Sequence, residues 1–167
     1  MSSARRFVSY RLGFLVAACA VCTVAVPGCG SGEPYSYVPA SGKITYDDGT
    51  PIAAPSVRLT FIAQNPPSAG DEKIFARPAT VNADPKTGEF SDITSHKYAD
   101  GLLPGKHKVI VTPQDEKNRP LDGVVPPEYR DIKSTPIEVD TANQPFVIKV
   151  KKPAGGVKPV PQGGGRG

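Results

Sequence analysis

Three cysteines carry the most nucleophilic side chains of this 167-residue chain, and all three lie within its first 29 residues. Cys19 and Cys22 have C-x-x-C spacing, which can form a redox pair, but both lie inside an apolar run, where we interpret them as apolar side chains. Cys29 lies just after that run. Its thiol is therefore the candidate for covalent modification.

The first 28 residues have the layout of a cleaved export signal. Arg5, Arg6 and Arg11 form a positive start, and residues 12–26 are a 15-residue apolar run without a charge. A membrane-spanning helix needs roughly 20 such residues, so the run is short for an anchor and suits a signal peptide. The alternatives are an ordinary secretory signal and an uncleaved N-terminal anchor.

The end of this segment reads Val26, Pro27, Gly28 and Cys29, which resembles the lipobox of bacterial lipoproteins. The resemblance implies cleavage before Cys29 and acyl chains on it, and two or more such chains anchor a protein stably. It predicts a membrane-anchored lipoprotein on the periplasmic or surface face of the bacterial cell envelope. Residues 1–28 would be the signal peptide, and residues 29–37 the lipidated cysteine with a flexible tether.

Removal of the signal changes both the cysteine count and the charge of the chain. Only Cys29 remains, so the mature protein forms no intramolecular disulfide and its core alone must stabilise it. Of the 20 Lys and Arg residues, 17 remain against 16 Asp and Glu. With no basic patch that contains interleaved aromatic residues, nucleic acid is not an expected partner.

Catalytic and metal-binding groups are sparse in the mature chain. Its only histidines are His96, predicted in an exposed connection, and His107, predicted on the apolar face of a strand. We therefore expect no enzyme activity and no cofactor. Asp47, Asp48 and Asp84 could approach each other and bind Ca²⁺, but Asp is common in turns because it caps its own backbone, so we predict no metal site.

Short alternating apolar runs separated by Pro, Gly, Asp and Asn predict an all-β fold, a single antiparallel β-sandwich of about seven strands. The expected strands are 42–46, 57–61, 78–81, 89–93, 106–112, 137–139 and 146–151. Val57, Leu59 and Phe61 should face inward, and His107 should share a face with Val109 and Val111. The density of proline makes a long helix improbable.

The order of the turns between these strands resembles carboxypeptidase regulatory-like domains. The matching stretches are residues 41–52 (SGKITYDDGTPI), 57–62 (VRLTFI), 84–90 (DPKTGEF) and 103–111 (LPGKHKVIV). A later stretch, residues 125–131 (VPPEYRD), is similar to small bacterial lipoproteins that carry this domain alone. The resemblance covers residues 38–152 and implies an immunoglobulin-like or transthyretin-like sandwich, with an aromatic residue expected at position 107.

Two segments outside the strands also bear on function. The connection 113–136 is long for a β domain, and Val124, Val125, Tyr129 and Arg130 could form a contact surface on it. The alternative is that Val125 and Tyr129 pin the connection to the sheet. Residues 153–167 (PAGGVKPVPQGGGRG) lack apolar periodicity and are interpreted as a disordered tail.

These features together predict a non-catalytic protein anchored to the membrane through acyl chains on Cys29. Its domain would contact an envelope protein or a glycan, or would act as a structural spacer. Alternatives are an accessory subunit of an envelope enzyme or transporter, and a glycan-binding module. Glycan sites usually present exposed aromatic side chains, whereas the chain has no Trp and only six Tyr, so its composition weakens the glycan-binding alternative.

Overall fold

Seven strands form two sheets in the structure, a computed structural model that describes residues 35–66 and 76–156. They are β1 (Gly42–Tyr46), β2 (Ser56–Ala63), β3 (Ala79–Ala83), β4 (Glu89–Phe90), β5 (Lys106–Gln114), β6 (Glu138–Asp140) and β7 (Phe146–Val150). One sheet has the order β4-β1-β7 and the other β3-β2-β5-β6. The all-β prediction is confirmed, and two sheets of this size are compatible with a β-sandwich.

Strand alternation places the core where the apolar pattern predicts it. On β2, Val57, Leu59 and Phe61 are buried, whereas Arg58 is exposed and Thr60 is partly exposed. On β5, His107, Val109 and Val111 are all buried. Because successive residues of a strand point to opposite faces, these two neighbouring strands bury one shared face.

Aromatic side chains join the two sheets across this core. The ring centroid of Phe61 on β2 lies 6.0 Å from that of Phe90 on β4 and 6.1 Å from that of Phe146 on β7. All three rings belong to one cluster of buried residues that draws on both sheets. The two sheets therefore share a single hydrophobic core.

The pairing of the first and last strands differs from the antiparallel prediction. β1 and β7 are parallel, with Gly42 opposite Phe146 and Tyr46 opposite Val150. Parallel neighbours need a long crossover connection, and here the chain between β1 and β7 provides it through the other sheet. The first and last strands of the domain are thereby hydrogen-bonded to each other.

The strand predicted at residues 89–93 is also shorter than expected. β4 ends at Phe90, and Asp92 adopts a left-handed backbone conformation with φ of 54°. Such a residue cannot continue a strand, so the chain turns, and Thr94 forms an isolated bridge with Thr80 on β3. The turn before β4 depends on Gly88, whose φ is +75° and where a Cβ would lie 2.0 Å from the carbonyl oxygen of Ile44.

Residues just outside the predicted domain bounds make local contacts at both ends. Tyr35, assigned to the flexible tether, is buried, and its ring contacts that of Tyr37 edge-on with centroids 6.4 Å apart. Residues 153–156 of the predicted tail form a turn in which Gly156 N–H donates to the Pro153 carbonyl. The predictions for residues 1–28, for Cys29 and for residues 157–167 fall outside the residues that the structure describes. Among the described residues, no helix is long and apolar enough to cross a membrane.

His107 occupies the core position at which the resemblance leads us to expect an aromatic residue. It is 2 % exposed, and its Nδ1 lies 3.1 Å from the Gly105 carbonyl oxygen. Burial lowers the pKa of the imidazole below 6.5, against the opposing effects of the Gly105 hydrogen bond and the Asp140 charge. The ring is therefore neutral in the folded protein at neutral pH, which suits a packing role.

We expect this histidine to make the stability of the domain depend on pH. Because the folded-state pKa lies below the unfolded value of about 6.5, the unfolded chain binds more protons in the window between them. The free energy of unfolding should be highest above that window and fall as the pH decreases through it. Urea titrations at pH 7.5 and 5.0 should show this loss of unfolding free energy in the wild type and in His96→Gln, and a smaller loss in His107→Tyr. Equal losses in all three proteins would contradict the role of His107 in the pH dependence.

Candidate functional site

A groove of about 930 Å³ opens where the short strand β4 leaves part of the domain uncovered. Residues at the starts of β1 and β7, the outer strand β3, and the segment that follows β4 line it. The buried core rings of Phe90 and Phe146 also line it. The groove therefore extends from the protein surface to the edge of the hydrophobic core.

One side of the groove is a row of three exposed side chains on neighbouring strands. Lys43 on β1 is opposite both Glu89 on β4 and Val147 on β7, so the three lie side by side across the sheet. Lys43 Nζ lies 4.0 Å from Glu89 Oε1, a weak and solvated ion pair. Val147 is 75 % exposed, which is unusual for a branched apolar side chain in a strand.

The other sheet contributes both hydrogen-bond donors and hydrogen-bond acceptors. Arg58 on β2 is opposite Asn82 on β3, and both are exposed. Asp84 follows β3, and its Oδ1 accepts hydrogen bonds from the backbone N–H groups of Thr87 and Lys86 at 2.8 Å. These bonds hold the pKa of Asp84 below its usual value, so the carboxylate stays charged at neutral pH.

A short loop at residues 94–100 is held together by a single carboxylate. Asp100 accepts backbone N–H bonds from Ser95 at 2.7 Å and from His96 and Lys97 at 2.8 Å each. Burial acts to raise the pKa of Asp100, but the bonds from Lys97, Ser95 and His96 outweigh it and leave the pKa lowered. The loop is thus tied by charge-assisted hydrogen bonds.

This loop presents Tyr98, whose side chain is 83 % exposed and lines the groove. The next residue, Ala99, has a left-handed backbone with φ of 57°, and its N–H donates to Thr94 Oγ1 at 3.1 Å. A non-glycine residue in this conformation costs about 1 kcal/mol or more and persists only where the surroundings enforce it. Such strain is common at binding sites, and here the hydrogen bonds to Asp100 and Thr94 hold the strained residue in the loop that presents an aromatic ring to solvent.

Replacing Asp100 with asparagine should loosen this loop. The amide keeps one acceptor oxygen and no charge, so we expect a loss of about 1–2 kcal/mol of stability at pH 7, since the carboxylate is partly exposed. Because the folded-state pKa is lowered, the loss should shrink as the pH falls below about 4 and the wild-type carboxyl becomes protonated. Urea unfolding measures both effects, with Glu116→Gln, an exposed carboxylate at a separate turn, as the control. An unchanged midpoint for Asp100→Asn would contradict this role.

The contact surface considered on the 113–136 connection is located elsewhere and is largely buried. Val124, Val125 and Tyr129 are 1 %, 3 % and 4 % exposed, and all three belong to the core cluster. The carbonyl oxygen of Val124 accepts a hydrogen bond from the Tyr46 hydroxyl at 2.8 Å, in the core. Burial favours the second alternative, in which these side chains pin the connection to the sheets.

Arg130, the fourth of these residues, is half-buried and paired with Asp122 within the same connection. It ends a short 3-10 helix, Pro127–Arg130, whose Tyr129 hydroxyl accepts the backbone N–H of Lys151 at 3.2 Å. The connection is therefore bound to the domain by both apolar and polar contacts.

Two of the three aspartates considered for Ca²⁺, Asp48 and Asp84, accept hydrogen bonds within their own turns, and Asp47 donates its backbone N–H to the Val150 carbonyl. Asp48 accepts bonds from Thr50 and pairs with Lys152 at 2.5 Å, and these contacts lower its pKa. Asp84 caps the turn before β4 in the same way. Across residues 35–66 and 76–156, no group of three or more His, Cys, Asp or Glu is placed to bind a metal ion. His96 is exposed, as expected for a connection.

Tyr98 is the site residue that sequence reasoning missed. It lies in residues 94–101 (TSHKYADG), a largely polar segment without strand alternation. The available signal was an aromatic residue surrounded by polar neighbours just before Asp100 and Gly101, a pair typical of turns. That pattern predicts a turn but not which groove its aromatic residue would line.

Comparison of the chain with family models, with curated proteins and with solved structures found no match. The groove and the sequence features of the first 29 residues are therefore the observations from which we infer a function.

Proposed function

We propose that this protein is a lipid-anchored, non-catalytic protein of the bacterial cell envelope that binds an envelope protein or glycan in the groove between β3, β4 and the start of β7. One observation carries the proposal: Tyr98, 83 % exposed, lines the groove from a loop fixed by Asp100. A passive spacer has no need of a strained loop that presents an aromatic ring beside a concave surface.

The envelope location is supported by the sequence. Residues 26–29 resemble a lipobox, and the apolar run before them is short for a spanning helix. Acyl chains on Cys29 would anchor the domain, so the domain needs no membrane affinity of its own. Two sheets around one core, together with the turn motifs, support an immunoglobulin-like or transthyretin-like domain of the carboxypeptidase regulatory-like type.

A binding role fits the residues of the groove better than catalysis does. The buried His107 packs in the core, and the groove offers hydroxyl, amide, guanidinium and carboxylate groups beside apolar ones. Convergent polar groups in an apolar-bottomed groove orient a ligand by hydrogen bonds. Nucleophilic catalysis would in addition require a base in contact with a nucleophile.

Site-specific photo-crosslinking in intact cells tests this proposal. A photoreactive phenylalanine analogue at Val147, inside the groove, should give one dominant crosslinked product, either a protein or a glycan. The same analogue at the exposed Lys117, in the turn at residues 115–119, serves as the matched control and should give little product. Equal, weak and scattered products from both positions would favour a passive envelope component and contradict the proposal.

A further inference from the structure

We infer that the ligand of the groove is a neutral glycan chain and that Tyr98 is the platform on which one of its sugar rings stacks. This inference rests on the proposed function and names the class of ligand for the same groove. It is carried by the chemistry of three parts of the groove: the exposed aromatic ring, the mixed polar groups and the balance of charge.

The exposed ring is the first part. Among the described residues, the large hydrophobic side chains that remain exposed are Tyr98 and Val147, and both line this groove. A tyrosine combines an apolar face with a polar hydroxyl group, which suits a ligand with an apolar C–H face and hydroxyl groups at its edge. A pyranose ring has that form. A protein partner would instead favour a cluster of several apolar anchors, as found at the centres of protein interfaces.

The polar groups are the second part. Sugar hydroxyls both donate and accept hydrogen bonds, so a glycan site needs donors and acceptors together. Arg58 supplies only donors, Asp84 only acceptors and Asn82 both, and all three line the groove. The turn bonds to Asp84 keep it ionised, and ionised acceptors form the stronger hydrogen bonds.

The balance of charge in the groove is the third part, and it favours a neutral polymer over a charged one as the ligand. The groove is lined by two cationic side chains, Lys43 and Arg58, and by three anionic ones, Asp84, Glu89 and Asp92. Lys43 and Glu89 are also near each other, at 4.0 Å. A polyanion or a polycation would therefore meet like charges along the groove, which costs affinity, whereas a neutral chain would not.

The loop geometry adds pre-organisation. The backbone N–H bonds that Asp100 accepts, together with the bond from Ala99 N–H to Thr94 Oγ1, fix the backbone that presents Tyr98 before any ligand arrives. A fixed platform lowers the entropy lost when a flexible glycan binds. The groove is open to solvent and not an enclosed cavity, so it suits a segment of a chain that stays partly exposed better than a small molecule that must be enclosed.

Calorimetric titration of the full-length protein in detergent micelles tests the inference. The probes are the neutral hexasaccharides cellohexaose, chitohexaose and maltohexaose, with an anionic hexagalacturonate for comparison. We expect at least one neutral probe to bind and the anionic probe to bind at least tenfold more weakly. Tyr98→Ala should weaken the binding of the neutral probe about tenfold, equivalent to ~1.4 kcal/mol. Tyr98→Phe, which keeps the ring, and Lys117→Ala, outside the groove, should bind within about twofold of the wild type.

Each outcome decides the inference. Since Tyr98 is 83 % exposed, its variants should have the same melting temperature as the wild type. Thermal unfolding of the same samples measures this. Binding that is unchanged in Tyr98→Ala would overturn the stacking platform, and no binding of any neutral probe at millimolar concentration would overturn the glycan class. In either case, a dominant protein crosslinked from Val147 would leave the proposed function standing, whereas the absence of groove-specific crosslinks would remove both.

Discussion

Val109→Asp should abolish the cooperative unfolding of this domain. Val109 is fully buried on the central strand β5, opposite Phe61 on β2, so the new carboxyl would enter the core shared by the two sheets. Burying an uncompensated polar or charged group costs several kcal/mol, and the whole stability of a small domain is only about 5–15 kcal/mol. Thermal unfolding followed by circular dichroism should therefore show no sharp transition.

The chain offers a matched control for this substitution. Val147→Asp makes the same chemical change on β7 at a side chain that is 75 % exposed, and it should shift the free energy of unfolding by less than about 0.5 kcal/mol. If Val109→Asp unfolded with a midpoint near that of Val147→Asp, the inward direction of the β5 side chains would be wrong.

Cys29→Ala should move the protein from the membrane fraction to the soluble fraction. With residues 1–28 intact, we expect export to be unaffected, whereas the thiol proposed to accept the acyl chains is absent. Each buried methylene of an acyl chain contributes about 0.8 kcal/mol to membrane binding, so loss of the chains removes the anchor. Fractionation of cells followed by immunodetection measures the change, which we expect to be nearly complete.

A second cysteine variant controls for this experiment. Cys22→Ala lies within the apolar run and removes a thiol without changing Cys29, the proposed site of the lipid, so that variant should stay in the membrane fraction. Retention of Cys29→Ala at the membrane would indicate an uncleaved N-terminal helix, and the lipoprotein hypothesis would then fail while the groove remained unaffected.

The alternation of apolar side chains was enough to predict the strands that form the core. Leu59 and Phe61 on β2 and Val111 on β5 follow a strict two-residue period, and the structure buries each of them. Such a pattern is local, so it does not depend on which strands become neighbours in a sheet. It indicates which face of a strand points inward and says nothing about which strand lies beside it.

The pairing between distant strands could not be predicted from that pattern. The parallel contact of β1 with β7 joins residues about a hundred positions apart, and no turn between them specifies it. The early end of β4 coincides with the left-handed backbone of Asp92, a conformation that is uncommon for any non-glycine residue and that no sequence pattern specified here. Both features arise from tertiary packing, and both help to form the groove.

The candidate site was missed for a related reason. The sequence drew attention to Tyr129 because apolar residues in a long connection suggest a surface, yet that ring is 4 % exposed. Tyr98 stands among polar residues, where a turn is the natural expectation. Only the three bonds to Asp100 and the bridge of Thr94 to β3 show that this turn is fixed beside the groove.

Amide hydrogen exchange can show whether the groove is occupied in the envelope. It is measured on the protein in isolated envelope membranes and on the purified protein in detergent. We expect slower exchange in the envelope at residues 80–84 and 91–98, which line the groove or carry its loop. Residues 115–119, in a turn outside the groove, should exchange at the same rate in both samples. Equal exchange at the groove residues in the two samples would contradict the claim.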